Sequence, residues 1–272
     1  TGNVLTGDAG ASSTFKGTQV DVTSDLQQAY KDYSDKHYPE AAARLTILVK
    51  KAPNSLPAHQ MLADIYIQQN RIKDAIPEME QIVRLDPKDT AIRNNLGVAY
   101  LQTAQTDKAI QFYQAAQTRS PKDPVLAYQL ALALEQGGKH AEAAQTFAQA
   151  SVLAPKDARA PLYAGLLFHQ IGHDDKAVPF LQKALTLGAR QKFSVYTALA
   201  EADVTAKKTG EAIENYKLAA QADPKNALSE YNLGTLYEQQ GRSDMAMAAY
   251  KKACALDPKL TDAADSLARL GE

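Results

Sequence analysis

One short phrase of this sequence returns at a fixed interval, and the interval constrains the fold more than any other feature. The phrase reads LDPKD at residues 85–89, and variants of it surround five other prolines. The six prolines are Pro53, Pro87, Pro121, Pro155, Pro224 and Pro258, with gaps of 34, 34, 34, 69 and 34 residues. The gap of 69 corresponds to two periods from which one proline is missing. A fixed period of this length predicts a stack of small supersecondary units.

Three columns of residues keep the same period. Twelve residues before each proline position stands an alanine, in the column Ala41, Ala75, Ala109, Ala143, Ala177, Ala212 and Ala246. Twelve residues further upstream is a small-residue column of Ala29, Ala63, Gly97, Ala131, Gly165, Ala200 and Gly234. Four residues after the alanines is a bulky column of Leu45, Met79, Tyr113, Phe147, Leu181, Tyr216 and Tyr250. We expect the small columns to let two helices approach closely and the bulky column to seal their sides.

Spacings of three and four residues within each period are typical of one face of a helix. Each period therefore predicts two helices, such as residues 91–102 and 107–117, joined by a turn near Ala104. Equivalent turns are expected near Gly138, Gly172 and Gly241. The chain has no Trp, and 45% of it is hydrophobic with much of that fraction in Ala, which suits thin layers of packed helices.

Two Leu-Gly pairs, each followed three residues later by a Tyr, add to the repeated pattern and make it similar to that of a known family. Leu96 and Gly97 are followed three residues later by Tyr100, and Leu233 and Gly234 are followed in the same way by Tyr237. With the period, the alanine column and the closing proline, they resemble the tetratricopeptide repeat. The resemblance implies an all-α fold: a right-handed α-solenoid, or superhelix, of tandem helix-turn-helix units. It also implies a concave groove lined by the first helix of each unit.

The period divides the chain into three kinds of segment. Residues 1–21 are rich in Gly, Ser and Thr and predict a flexible arm or linker. Residues 261–272 repeat a first-helix pattern and predict a capping helix, because the end of a solenoid needs a polar outer face. Between them we assign seven units, at residues 22–55, 56–89, 90–123, 124–157, 158–192, 193–226 and 227–260.

The pattern is irregular at two units. In the first, Gln28 and Asp32 stand where Leu and Tyr are usual, which predicts either a polar cap or a helix rotated in register. The sixth has Asp203 at the Tyr position, and before it the proline is replaced at Gly188–Gln191 with one added residue. Gly188 can end a helix in the left-handed conformation, so we expect the fold to continue with a local change of curvature.

Composition and motifs argue against several classes of function. Thirty Lys and Arg against 31 Asp and Glu leave no positive excess for nucleic acid. One cysteine excludes an intramolecular disulfide, and no apolar run approaches the roughly 18 residues of a membrane span. No phosphate-binding loop, dinucleotide fingerprint, nucleophile elbow or zinc-protease motif occurs. His169 and His173 have ligand spacing, but the expected turn at Gly172 separates them. We therefore expect no enzyme, no cofactor and no metal.

The function that remains is the binding of another protein or peptide on the surface of the chain. Lys at the fifth and Asn at the ninth position of one first helix, which the family uses to clamp a carboxylate, are absent here. A mixed amide and aromatic groove through the middle units is the best candidate. The predicted partner-binding residues are Asn95, Gln102, Tyr128, Gln129, Glu135, Tyr163, His169 and Gln170. Two alternatives stay open, namely that the tyrosines only seal the next helix and that the Asn belongs to the packing pattern.

The sequence thus predicts a non-catalytic scaffold or adaptor that binds a peptide or a helix of another protein in its groove. One alternative is a self-assembly module, in which the arm or a solenoid end contacts another copy to form a homo-oligomer. A more remote one is a regulatory domain of a larger enzyme. We expect a soluble protein of a bacterium, exported to the periplasm after removal of an upstream signal or anchor, with a cytoplasmic location as the alternative.

Overall fold

The computed structural model describes residues 24–271, and these form helices joined by short turns. The predicted arm of residues 1–21 lies outside the described residues. Within residues 24–271 there are fifteen α-helices and no strand. The helices are α1 Ser24–Ser34, α2 Tyr38–Lys51, α3 Leu56–Gln68, α4 Ile72–Leu85, α5 Thr90–Gln102, α6 Thr106–Arg119, α7 Pro124–Gln136, α8 His140–Leu153, α9 Arg159–Gln170, α10 Asp174–Thr186, α11 Lys192–Thr205, α12 Thr209–Ala222, α13 Ala227–Gln239, α14 Ser243–Leu256 and α15 Thr261–Gly271.

The first fourteen helices form seven antiparallel pairs, each with a turn through one left-handed residue. These residues are Lys36, Asn70, Ala104, Gly138, Gly172, Lys207 and Gly241, with φ between 56° and 78°. In the third pair the N–H of Gln105 donates to the carbonyl of Tyr100 at 2.8 Å, and the same bond recurs in every pair. This is the hydrogen bond of a Schellman motif, which satisfies carbonyls at a helix end. The predicted turns near Ala104, Gly138, Gly172 and Gly241 are confirmed.

The three columns form the core. All seven residues of the alanine column are fully buried, and the other two columns are buried throughout. Within a pair, the small residue of the first helix faces the bulky residue of the second. A Cβ added to Gly165 would lie 2.7 Å from Cγ of Leu181, and one added to Gly234 would lie 2.5 Å from Cε1 of Tyr250. Close helix crossing therefore depends on these small residues, as the sequence predicts.

The chain divides into two compact units between Ser120 and Pro121. The first contains α1 to α6, and within it each second helix packs against the first helix of the next pair. The second contains α7 to α14 stacked in the same way, with α15 against α14. Each unit is a run of an α-solenoid, so the predicted all-α repeat fold is confirmed.

The recurring proline phrase, such as LDPKD at residues 85–89, lies between successive helix pairs, and we call it the border phrase. One pair ends at this phrase and the next begins. The side chain of Asp89 accepts hydrogen bonds from the N–H groups of Ala91 and Ile92, and Asp123 caps α7 in the same way. Asn226 caps α13 by accepting from the N–H of Ser229. At the border without a proline, Gly188 has φ 81° and the N–H of Ala189 donates to the carbonyl of Ala184 at 2.9 Å. A glycine thus replaces the proline as the helix stop, as expected.

Candidate partner-binding site

All eight predicted partner-binding residues lie on first helices. Asn95 and Gln102 lie on α5 of the first unit, and both side chains are exposed. The other six lie in the second unit, namely Tyr128, Gln129 and Glu135 on α7 and Tyr163, His169 and Gln170 on α9. The six are the more informative set, because the structure brings several of them into contact.

Tyr128 and Tyr163 belong to one aromatic cluster with Phe147. The ring centroids of Tyr128 and Phe147 are 5.3 Å apart in an edge-on contact, and those of Phe147 and Tyr163 are 5.3 Å apart and stacked. Tyr128 and Tyr163 also contact each other edge-on at 6.2 Å. Phe147 belongs to the buried column, so the core of the repeat fixes the two half-buried tyrosines. Aromatic pairs of this geometry contribute about 0.5–1.5 kcal/mol beyond buried area.

A guanidinium group covers the Tyr128 ring from the start of α9. Cζ of Arg159 lies 5.2 Å from the ring centroid, within the range of a cation–π contact. Asp157 holds this arginine, with Nη2 of Arg159 donating to Oδ2 at 2.6 Å. Burial raises the pKa of Tyr128 to about 12, with the neighbouring Tyr163 adding to the effect and Arg159 opposing it. The Tyr128 hydroxyl therefore stays protonated at neutral pH and can donate a hydrogen bond.

A cleft of about 160 Å³ opens beside this cluster. It is lined by Pro124, Val125, Tyr128, Gln129, Ala150, Ala154, Asp157, Arg159 and Ala160. The first four come from α7 and the others from the end of α8, the following turn and the start of α9. Pockets for whole small molecules are about 300–1,000 Å³, so this cleft is sized for one side chain of a larger partner.

His169 already has a structural role between two repeats. Its Nδ1 lies 2.7 Å from Oδ1 of Asp174 in the first turn of α10, and its Nε2 lies 2.8 Å from Oε2 of Glu201 on α11. Burial alone would lower the pKa of His169, but the hydrogen bonds to both carboxylates and their charges raise it above its usual value. With both ring nitrogens occupied, His169 has no free nitrogen for a partner, which distinguishes it from the exposed Gln170.

Glu135 is half-buried near the end of α7, and burial raises the pKa of its carboxyl, although the nearby His140 acts in the opposite direction. His173, four residues after His169, is the N-cap residue of α10 and lies outside both helices. In residues 24–271 no group of three or more His, Cys, Asp or Glu side chains is arranged to hold a metal ion. The same residues contain no helix of the length and apolar character that a membrane span requires.

Sequence reasoning did not identify Val125, Asp157 and Arg159 as part of the site. Val125 precedes Tyr128 by one helical turn and is 47% exposed. Asp157 belongs to the border phrase, and its carboxylate accepts hydrogen bonds from both the backbone N–H and the guanidinium group of Arg159. A basic residue two positions after a border Asp is the signal that would have pointed to this pair.

Family models described as tetratricopeptide repeat match residues 60–124, 128–192 and 227–260. These matches cover more than half of the chain. A search of curated proteins finds no match.

Solved structures with the same fold include YrrB, described as a TPR protein with an unusual peptide-binding site. It is 18% identical, with 69% of this chain and 96% of YrrB covered and a TM-score of 0.60. The C-terminal part of a TPR repeat-containing protein from Cytophaga hutchinsonii is 21% identical, with 89% and 98% covered and a TM-score of 0.69. MamA residues 41 to the end from Desulfovibrio magneticus is 20% identical, with 62% and 95% covered and a TM-score of 0.55.

Proposed function

The chain belongs to the tetratricopeptide repeat family, and on that premise we propose that it is a non-catalytic scaffold that binds a peptide or a helix of a partner protein along its first helices. Proteins of this family are in general scaffolds for protein interaction. YrrB, which has the same fold, is described as having a peptide-binding site. The middle repeats of this chain supply the residues that suit such binding.

The observation that carries the proposal is the fixed tyrosine pair beside the cleft. Tyr128 is held by Phe147, Tyr163 and Arg159, so it loses little rotamer freedom when a partner contacts it. A rigid aromatic side chain with a polar tip gives a large contact area at a low cost in conformational entropy. Such residues are the usual centres of binding energy in protein interfaces.

The surroundings of Tyr128 indicate what kind of segment fits. Val125 offers an exposed apolar surface one turn away, and the amide of Gln129 can both donate to and accept from a peptide backbone. Arg159 is neutralised by Asp157 at 2.6 Å, so the cleft does not attract an anion strongly. We infer that an apolar or aromatic side chain of the partner enters the cleft while its backbone contacts Gln129.

The first unit offers a separate set of polar contacts on α5. Asn95 and Gln102 are exposed there, and each carries two donors and an acceptor that suit a peptide backbone. In this proposal they contact a peptide backbone within the first unit.

The test is affinity for a partner isolated with the full chain from an extract of the source organism. Calorimetry with the purified partner should show that Tyr128→Ala and Tyr163→Ala each weaken binding by roughly tenfold or more, as central aromatic residues of interfaces do. Tyr196→Ala is the matched control, because Tyr196 is a half-buried tyrosine on first helix α11 outside the cluster. Circular dichroism checks that each variant is folded. Unchanged affinity in both cluster variants would refute the proposed site.

A further inference from the structure

A second cleft lies in the first unit on a different set of residues, and three arginines are among the residues that line it. It has a volume of about 420 Å³. Its walls come from α4, the following border, the start of α5 and the second half of α6. We call it the arginine cleft, and it is lined by Glu80, Val83, Arg84, Pro87, Arg93, Phe112, Ala115, Ala116 and Arg119.

The positive charge of the arginine cleft is not neutralised from within. Three arginines line the cleft with one acidic residue, Glu80, whose carboxylate accepts a hydrogen bond from the hydroxyl of Tyr100 at 2.5 Å. Arg93 donates to the carbonyl of Pro87. Within residues 24–271, neither the side chain of Arg84 nor that of Arg119 forms an ion pair or a hydrogen bond, although Arg84 lies close enough to His59 for their charges to interact. The whole chain has a formal charge of -1, so this local excess does not reflect a basic protein.

The helix dipole explains only part of this arrangement. Arg84 and Arg119 lie in the last turns of α4 and α6, where a cation is favoured by the dipole. Arg93 is the fourth residue of α5, close to the helix N-terminus, where the dipole disfavours a cation. Helix stability alone therefore does not account for three arginines around one cleft.

The floor of the arginine cleft is apolar and rigid. Val83, Pro87, Ala115 and Ala116 line the cleft together with the ring of Phe112. That ring makes edge-on contacts with Tyr100 at 6.1 Å and with Tyr113 at 5.8 Å, so its orientation is fixed by the core. A ligand for this cleft therefore needs an apolar group next to a negative one.

We propose that the arginine cleft binds an acidic peptide segment in which carboxylate side chains alternate with apolar ones. The planar guanidinium fork matches a carboxylate in shape and charge, and Arg84 and Arg119 supply two unpaired forks. A volume of about 420 Å³ is within the range of pockets that enclose a ligand. The arginine cleft lies in the first unit, mainly on second helices α4 and α6, so this surface is distinct from the tyrosine site on first helices α7 and α9.

The experiment uses the full chain and a fluorescein-labelled peptide, Gly-Glu-Phe-Glu-Leu-Glu-Gly with blocked ends. Fluorescence anisotropy should show saturable binding that weakens by roughly tenfold in the double variant Arg84→Gln/Arg119→Gln, because two charge-assisted contacts are lost. Lys50→Gln/Lys73→Gln is the matched control, since it removes the same charge from exposed sites of the same unit outside the cleft. The control should bind like the wild type.

Three results would overturn the proposal. The first is equal affinity in the wild type and in the arginine double variant, and the second is equal affinity for the same peptide with Gln in place of Glu. The third is no binding of the Glu peptide, whether or not a phosphoserine version binds. Tyr128→Ala should leave the affinity for this peptide unchanged, so failure of the arginine cleft and failure of the tyrosine site are separate outcomes.

Discussion

At the scale of single residues, the helix pairs depend on the absence of a side chain at three positions. Gly97, Gly165 and Gly234 each face the bulky residue of the partner helix. At Gly165 an added Cβ would lie 2.7 Å from Cγ of Leu181 and 3.0 Å from the backbone nitrogen of the same residue. The backbone contact cannot be relieved by rotating a side chain, so the two helices would have to move apart.

We therefore expect Gly165→Ala to destabilise the protein. Overpacking a core costs about 1–3 kcal/mol, and this exceeds the gain of about 1 kcal/mol from the better helix former. Gly210→Ala is the control, because Gly210 lies in α12 with no atom within 4 Å of an added Cβ. It should be neutral or slightly stabilising. Urea unfolding followed by circular dichroism measures both, and equal midpoints for the two variants would contradict the close approach.

A second residue-scale feature is the bridge that His169 makes between α9, α10 and α11. The groups facing its ring are Asp174 and Glu201, at 2.7 and 2.8 Å. Because the pKa of His169 is raised in the folded state, the bridge contributes its full stability below the unfolded pKa of about 6.5. The contribution is lost as pH rises through the folded pKa.

The substitution His169→Gln should therefore lower the free energy of unfolding more at low pH than at high pH. We expect a loss of about 1 kcal/mol near pH 5.5 and a smaller loss near pH 8.5, because the contribution of the bridge declines as pH rises through the raised folded pKa. Urea midpoints of both proteins at the two pH values measure the difference. His173→Gln removes an exposed histidine four residues away and should show no such trend. A cost for His169→Gln that is independent of pH would rule out the charged bridge.

At the scale of helices and turns, the recurring border phrase works as a stop and a start. Pro87 cannot continue α4, because it lacks an N–H and constrains the residue before it. Asp89 then caps α5, with Oδ1 accepting from Ala91 N–H at 2.9 Å and from Ile92 N–H at 3.1 Å. No ligand is needed to explain why the phrase recurs.

Removing this cap should destabilise α5 and the repeat that contains it. We expect Asp89→Ala to lower the free energy of unfolding by about 1 kcal/mol. Asp89→Asn is the control, since Asn caps about as well as Asp and Asn226 does so at the start of α13. The urea midpoint should fall for the alanine variant alone. If the asparagine variant were equally destabilised, the charge of Asp89 rather than its capping hydrogen bonds would be responsible.

Contacts within a repeat were predictable from the sequence, because both helices belong to one period with fixed internal spacing. Contacts between repeats were not, because they depend on how far one repeat is displaced along the next. Tyr33 with Asp64, His169 with Glu201 and Glu238 with Arg269 are 31, 32 and 31 residues apart. These separations are about one helical turn shorter than the period of 34. Complementary polar residues at separations of 31 or 32 would indicate contacts between successive repeats, and a pattern read within one repeat does not contain them.

Only part of the candidate site was predictable from the sequence. Tyr128 and Tyr163 both lie on first helices, and the structure brings their rings together. Arg159 was missed, because its position over Tyr128 depends on the pairing with Asp157. The arginine cleft was missed as well, since Arg84, Arg93 and Arg119 come from three helices and no spacing in the sequence indicates that their side chains converge.

At the scale of the whole molecule, stability within each of the two units comes from each repeat packing on its neighbours, and the seventh repeat packs in turn against α15. In α15, Leu267 and Leu270 pack on the core that contains Tyr237 and Tyr250. Nη1 of Arg269 adds an ion pair to Oε1 of Glu238 at 2.7 Å. Asp262 and Asp265 of α15 are exposed, and we expect this polar face of α15 not to attract a second copy.

We therefore expect the full chain to be a monomer of 29.4 kDa in solution. A chain lacking residues 1–20 should also be a monomer, because the capped end remains. Multi-angle light scattering of both proteins at several concentrations measures this. A larger mass for the full chain that returns to the monomer on removal of residues 1–20 would favour self-assembly through those residues.

The central claim is that a partner lies on the first helices beside Tyr128. The most direct measurement is photo-crosslinking of the purified partner to the full chain with benzoylphenylalanine placed at one site at a time. A probe at Gln129, on first helix α7, should give a crosslink that free partner peptide competes away. A probe at the exposed Gln145 on second helix α8 should give none. A crosslink from Gln145 with none from Gln129 would contradict the proposed function.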